Sequence, residues 1–361
     1  MKRTLALILA ALLLMGCALA ENLWQTDPEL MFQVNRSDLD SLSQAEGRIY
    51  VFGHRSPDSD TVCSTIAFAN LLKQLGYDAE AMVLDKPNPE TAFILKEAGV
   101  ETPEVLEDAS GLNVFLIDHA DYAQSVPGLE DAKVLGIIDH HGAGTVSTGN
   151  QIVYDAKPLG ATATVLWIRY MNCGVPIDQT TAKLLLGAVL SDTSNLTSSA
   201  TAADRAAVED LCARAGIEDR DAFYREMYKA SISYAGMTDE GIFNSDVKEY
   251  ESAGTHFLIG CINAYDEPDA RDLAERMKAV MPEQVKAAGV KMAFAQISIF
   301  HDGISIVYLV PSDDVAAEVI REAFGEEGKF DGTSFVFEPG FSRRKVLVPK
   351  LTDALAAHPH E

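Results

Sequence analysis

Between Arg48 and Ile138 the chain repeats one pattern: a short apolar run with no polar alternation, then a stretch of helical periodicity. The apolar runs are Ile49–Phe52, Ala81–Leu84, Val114–Ile117 and Val134–Ile138. The helix-like stretches are Thr61–Leu75, Glu90–Ala98 and, with weaker periodicity, Asp121–Gln124 before Pro127. A strand that is apolar at every position is buried on both faces, and strands that alternate with helices form a parallel sheet. The pattern therefore predicts an α/β domain built on a covered parallel sheet. Helices over Ala161–Met171, Thr180–Leu190 and Ala202–Ala215 follow, the last capped by Thr201 and stopped at Gly216, and Asp221–Lys229 continues helical.

The rhythm then changes. Ser231–Gly236 is weakly patterned and reads as a linker over residues 231–238. Beyond it, strands over Phe243–Tyr250, His256–Ile262, Met292–Phe300, Ser305–Val310, Ser334–Phe337 and Lys345–Val348 mix with helices over Pro268–Met281 and Val315–Phe324. That is an α+β domain over residues 239–361, smaller than the first domain over residues 47–230. The full 361 residues, 47% of them apolar, are enough for two cores.

Each of three apolar runs in the first domain ends in ionisable residues. Ile49–Phe52 is followed by Gly53, His54, Asp58 and Asp60; Val114–Ile117 by Asp118 and His119; Val134–Ile138 by Asp139, His140 and His141. The helix-like Leu184–Leu190 likewise runs into Ser191 and Asp192. Open α/β sheets build their sites at the carboxyl ends of strands. A charge placed directly after a buried run needs a partner. One such placement is explained by a polar turn in which Asp60 caps a helix. The recurrence of Asp at all four of these positions, with His at three of them, points instead to a metal centre of mixed oxygen and imidazole donors, a set that suits Mn2+ or Co2+.

The rest of the composition bounds the surroundings of this centre. A formal net charge of -25 repels nucleic acid, so no nucleic-acid partner is expected. Lys2 and Arg3 followed by apolar Leu5–Met15 make residues 1–20 a targeting segment, too short for a comfortable membrane span. Two processing readings stand: a lipoprotein signal at Leu14-Met15-Gly16-Cys17, with Cys17 lipidated as a membrane anchor, or cleavage after Ala18-Leu19-Ala20. Both predict an exported protein. Residues 21–46 read as a polar tether. The remaining cysteines, Cys63, Cys173, Cys212 and Cys261, have no zinc-site spacing and are expected as free thiols. Arg343-Arg344-Lys345 is the densest basic run after the targeting segment. Alone it reads as a solvated charge cluster.

The order FGHxxPDxD from Phe52, IDH at Ile117, IDHH at Ile138 and LSD at Leu190 resembles the DHH phosphoesterase superfamily. Gly340-Phe341-Ser342-Arg343-Arg344-Lys345, with Leu351-Thr352-Asp353-Ala354, Lys157–Thr164 and Asp246-Val247-Lys248, is similar to the family II, manganese-dependent inorganic pyrophosphatases. The resemblance implies a DHH domain followed by a DHH-associated domain, with the active site in the interdomain cleft. It also implies that the substrate is pyrophosphate, hydrolysed to two phosphates by a hydroxide bridging two divalent metals. His54 and Asp58 would hold the first metal, Asp60, His140 and Asp192 the second, and Asp118 both. His141 would donate to the substrate phosphate and serve as candidate general acid. His119 and Asp139 would orient ligands. Lys248, Arg343 and Arg344 would clamp phosphates, Mg2+ would arrive with the substrate, and the chain would form a homodimer. The sequence departs from the family pattern at Ala120, where Asn is usual, at Gly142, where a basic residue is usual, and at Arg344, where Lys is usual. These departures keep two alternatives open: an exported hydrolase of short-chain polyphosphate or another phosphoanhydride, and a non-catalytic phosphate- or metal-binding lipoprotein.

Overall fold

The structure is a computed structural model that describes residues 28–301 and 304–357. The targeting segment, Cys17 and the Ala20 cleavage point lie outside the described residues. No described helix is long and apolar enough to cross a membrane. The chain divides into two compact units after Ser231.

The first unit contains a five-stranded sheet, β1 (Ile49–Phe52), β2 (Ala79–Ala81), β3 (Asn113–Ile117), β4 (Lys133–Asp139) and β5 (Val153–Ala156), in the order β2-β1-β3-β4-β5. Every pairing is parallel. Its two faces are covered differently. Val51, Phe115, Ile117 and Ile138 pack on one face against a helical layer that includes Phe68 and Leu71 of α2 (Ser59–Gln74), Leu166 of α4 (Thr162–Cys173) and Leu186 of α5 (Gln179–Asp192). Phe52, Val114, Leu116 and Ile137 pack on the other face against Ala109, Val126 and Leu129, which lie in coil and single-turn segments.

Two sequence expectations change here. Residues 21–46 were expected to be a tether, but Pro28–Arg36 is a helix, α1, and Ser37–Gln44 a 3-10 segment. Leu39 and Leu42 are buried in the main core. Arg36 Nε donates to the Cys173 carbonyl at 2.6 Å, and Asn35 Nδ2 to the Asn172 carbonyl at 3.0 Å. The polar composition conceals these two leucines, which anchor the segment. The short edge strand β5 was not anticipated, because only Val153 of its four residues is buried.

The second unit has a mixed six-stranded sheet, β6 (Val247–Ser252), β7 (Thr255–Asn263), β8 (Met292–His301), β9 (Ile304–Pro311), β10 (Lys329–Phe330) and β11 (Phe335–Phe337), in the order β10-β11-β9-β8-β7-β6. Only β7 and β8 run parallel. Separate apolar clusters fill its faces, one around Leu273 and Met277 of the helix Glu267–Ala288, the other around Ile320, Leu347 and Leu351. Phe243 was expected to start a strand. It lies in the helix Asp239–Asn244, capped by Thr238. The expected strand Lys345–Val348 is instead a π-helical turn, Arg343–Leu347, that leads into the helix Val348–Ala357. Leu347, Leu351, Ala354 and Leu355 recur at helical spacing and are all buried, which overrides the strand preference of Val346 and Val348. The four described cysteines are free, as expected.

Candidate metal centre

The loops after β1, β3 and β4 and the end of α5 bring the predicted ligands of the first unit together. Asp58 caps α2, its Oδ1 accepting from the Thr61 amide at 2.9 Å. Asp60 sits in the first turn of α2 and is fully buried. It is therefore not the cap. Its carboxylate accepts from the Thr162 amide at 2.6 Å, the Ala163 amide at 2.9 Å and Ser64 Oγ at 2.9 Å. The start of α4 thus offers Asp60 the unpaired amides that helix N-termini present to anions.

Asp118, 2% exposed, follows β3 with a φ of 63°, in the left-handed region. Thr61 Oγ1 donates to its Oδ2 at 2.6 Å and Thr162 Oγ1 to its Oδ1 at 2.8 Å. The same two oxygens face different imidazoles. His54 Nε2 is 3.4 Å from Oδ2, and His140 Nε2 is 3.5 Å from Oδ1. His54 Nε2 also lies 3.5 Å from Asp58, and His140 Nε2 lies 3.5 Å from Asp192. Among the described residues, three groups could hold an ion: His54 with Asp58 and Asp118; Asp60 with His140 and Asp192; and Asp118 with His140 and His141.

The donors suit a divalent metal. His54 Nδ1 donates to the Arg55 carbonyl at 2.8 Å, and His140 Nδ1 to the Leu159 carbonyl at 3.1 Å. A carbonyl only accepts, so Nδ1 carries the proton and each Nε2 can present a lone pair. His140 Nε2 is buried with no hydrogen-bond partner. Metal–ligand bonds of about 2.1 Å place neighbouring donors about 3.0–3.4 Å apart, near the spacing found here.

Charge crowding points the same way. Burial, then repulsion by Asp118, Asp192 and Asp58, holds the Asp60 carboxyl well above the usual range. Burial, then Asp118, Asp58 and Glu90, pushes Asp192 up to about 8. For His54, burial opposes the charge, but hydrogen bonds to Asp118, Asp58 and the Arg55 carbonyl push it up to about 11. Asp118 is held low, because hydrogen bonds from His54 and Thr61 and the nearby His140 outweigh its burial. Acidic groups that retain protons because they are buried and repel each other are relieved when a cation replaces the protons.

The remaining candidates surround this cluster or lie in the second unit. Asp139 Oδ1 accepts from the His140 and His141 amides and from His141 Nδ1, at 2.7, 3.0 and 3.0 Å. His141 is more than half exposed. His119 is buried; its Nδ1 donates to the Ile117 carbonyl, Ser125 Oγ donates to its Nε2, and its ring stands edge-on to that of His54. Burial holds its pKa low. In the second unit, Arg343 makes a two-pronged contact from Nη2 to both Asp246 carboxylate oxygens, at 2.9 and 3.0 Å. Lys248 and Arg343 both lower the pKa of Cys261, which burial nevertheless pushes up to about 11. Lys248 and Arg344 are exposed.

Thr61, Thr162 and Glu90 were not singled out from sequence. Each lies in the first turn of a helix, where it reads as ordinary helix-start chemistry. Ala120, one of the departures, packs in the apolar cluster on the second face of the sheet. At Gly142, another, an added Cβ would meet open space.

Candidate ligand groups on the strand-end loops of a parallel sheet are an arrangement suited to a metal-dependent hydrolase. The model of the DHH family N-terminal domain matches residues 48–189, and that of the DHHA2 domain residues 225–354. Two curated relatives bear the name "Probable manganese-dependent inorganic pyrophosphatase". The one from Lactobacillus acidophilus is 33% identical over 311 residues, covering 85% of this chain and 99% of the relative. The one from Archaeoglobus fulgidus is 34% identical over 325 residues, covering 85% and 98%. A solved Methanococcus jannaschii structure assigned to the family II inorganic pyrophosphatases is 31% identical, with a TM-score of 0.52, covering 85% of this chain and 99% of that one. The chain belongs to the family II, manganese-dependent inorganic pyrophosphatases.

Proposed function

We propose that the protein hydrolyses inorganic pyrophosphate to two phosphates with Mn2+, or Co2+, held by the first unit. The observation that carries this is the position of Asp118, whose two carboxylate oxygens face separate ligand groups. His54 and Asp58 would hold one ion, Asp60, His140 and Asp192 the other, and Asp118 would join them. When bound, the ions would supply Lewis acidity, making a water more acidic and so a better nucleophile at neutral pH, and offsetting charge on the phosphates.

The chain's own groups do the rest. Thr61 and Thr162 keep both Asp118 oxygens in place, so the two ligand groups cannot drift apart. Asp139 fixes the His141 ring through Nδ1. Its Nε2 is left as the free end, and the imidazolium form can pass that proton to the leaving phosphate. Lys248, Arg343 and Arg344 are the proposed phosphate clamp. Asp246 holds the Arg343 guanidinium through Nη2 and, by its carbonyl, through Nη1. Mg2+ is proposed to enter with the substrate.

The test is phosphate release by residues 21–361, loaded with Mn2+ and assayed with Mg2+, on pyrophosphate, tripolyphosphate and a nucleoside triphosphate. Metal-dependent turnover that prefers pyrophosphate supports the proposal. Equal turnover of tripolyphosphate would favour the broader phosphoanhydride hydrolase, and binding without turnover the capture protein. Export, through either processing route, is proposed from residues 1–20 and is tested by fractionation with mass measurement of the mature N-terminus. A homodimer is proposed through the β5 edge of the sheet and is tested by sedimentation.

A further inference from the structure

We infer that Glu90 is a positioning residue that ties together the two segments carrying Asp58, Asp60 and Asp192. Glu90 lies in the first turn of the helix Pro89–Ala98, which contributes no proposed ligand. Its Oε1 accepts from Ser59 Oγ at 2.8 Å and also from Ser191 Oγ. Ser59 stands between Asp58 and Asp60, and Ser191 immediately precedes Asp192. One carboxylate oxygen therefore joins the start of α2 to the end of α5, at the residues beside three proposed ligands.

The rest of the network fixes Glu90 in turn. Ser59 gives its only hydroxyl proton to Glu90, so the 3.1 Å contact between Ser59 Oγ and Thr91 Oγ1 has Thr91 as donor. Ser59 and Thr91 are both fully buried. Asn88 caps the same helix by accepting from the Thr91 amide at 2.8 Å. Cap, threonine, serine and glutamate thus form one chain of donors and acceptors that ends on the metal segments. Outer partners of this kind orient ligands, and their loss typically costs metal affinity about 10–100-fold.

Both serines bond to the same oxygen, which separates two roles for Glu90. A glutamine retains that carbonyl-type acceptor and loses only the charge. If Glu90 acts by position, Glu90→Gln preserves the bridge; if it acts only as another negative charge near the cations, Glu90→Gln and Glu90→Ala are equally damaging.

The inference rests on the two-metal reading, and the test distinguishes the failure of each. Mn2+ binding to the full chain is titrated calorimetrically, and free Mn2+ is followed by electron paramagnetic resonance. Wild-type protein should bind two ions; failure to bind overturns the metal reading itself. Glu90→Ala should weaken the more labile of the two ions about 10–100-fold, and Glu90→Gln should restore affinity to within about 3-fold of wild type. Unchanged affinity in Glu90→Ala, or equal loss in both variants, overturns the positioning role. Should Glu90→Ala not fold, the pair Ser59→Ala with Ser191→Ala removes the same bridge. Wild-type affinity in that double variant would also overturn the inference.

Discussion

Asp118 shows how much can depend on one side chain. Two threonine hydroxyls and three imidazoles converge on its two oxygens. Its left-handed backbone is one that Asn also tolerates. Asp118→Asn should therefore fold, with a circular dichroism spectrum like wild type, yet lose more than about 100-fold in hydrolysis, the upper end of what even outer partners cost. Full activity in that variant would remove it from the centre. The protonation states give a second expectation for the metal-free protein. Burial and the neighbouring carboxylates push Asp192 up to about 8, and against burial, hydrogen bonds to Asp118 and Asp58 push His54 up to about 11, from ordinary values of 3.8 and 6.5. Between about pH 4 and 8 these two groups thus hold more protons in the folded chain than in the unfolded chain, so their contribution to stability falls as pH rises. The His54 contribution is fully present below 6.5 and is lost toward 11. Asp118, held low, acts in the opposite sense only at acid pH. Melting in chelator should show Tm falling from pH 5 to 9, with a shallower slope in Asp192→Asn. A rise in Tm over that range would contradict it. The ligands were legible because charged groups that end apolar runs need a reason to be there. Thr61, Thr162 and Glu90 were not, because their residue types are common at helix starts and only the fold shows what they touch.

Elements decide how closely those residues approach. Gly53 ends β1 where an added Cβ would lie 2.3 Å from Thr61 Cγ2 and 3.1 Å from the Ile117 carbonyl oxygen. Thr61 is the donor to Asp118, so crowding at Gly53 is transmitted to the centre. Gly53→Ala should cost about 1–3 kcal/mol in urea unfolding and weaken Mn2+ binding; wild-type behaviour in both would show that Thr61 moves freely. The 3-10 segment Ser37–Gln44 is tested by Leu39→Ala, expected to cost about 2–5 kcal/mol, whereas a loose tether would show no change. The sequence pattern revealed the central strands through their uniform apolarity. It hid elements with few buried residues, such as β5 and α1, and it misread Lys345–Val348, where β-branched residues yield to the helical recurrence of Leu347, Leu351, Ala354 and Leu355.

For the whole molecule, the two units have separate cores and different chemical assignments. Every residue of the candidate metal groups belongs to the first unit. Mn2+ alone should slow amide exchange in the first unit, most around residues 54–60, 118, 140 and 192, and leave the β6–β9 amides of the second unit unchanged. Equal protection of both units would mean that ion binding reorganises the entire chain. The candidate ligands of the first unit span residues 54 to 192 and come from three strand ends and two helix ends, with no short segment among the described residues carrying a full set. An unfinished chain therefore offers no chelate of comparable grip. The manganese content of a purified preparation becomes a census of molecules whose strands have found their correct order, which a measurement of protein concentration or helicity alone would not provide.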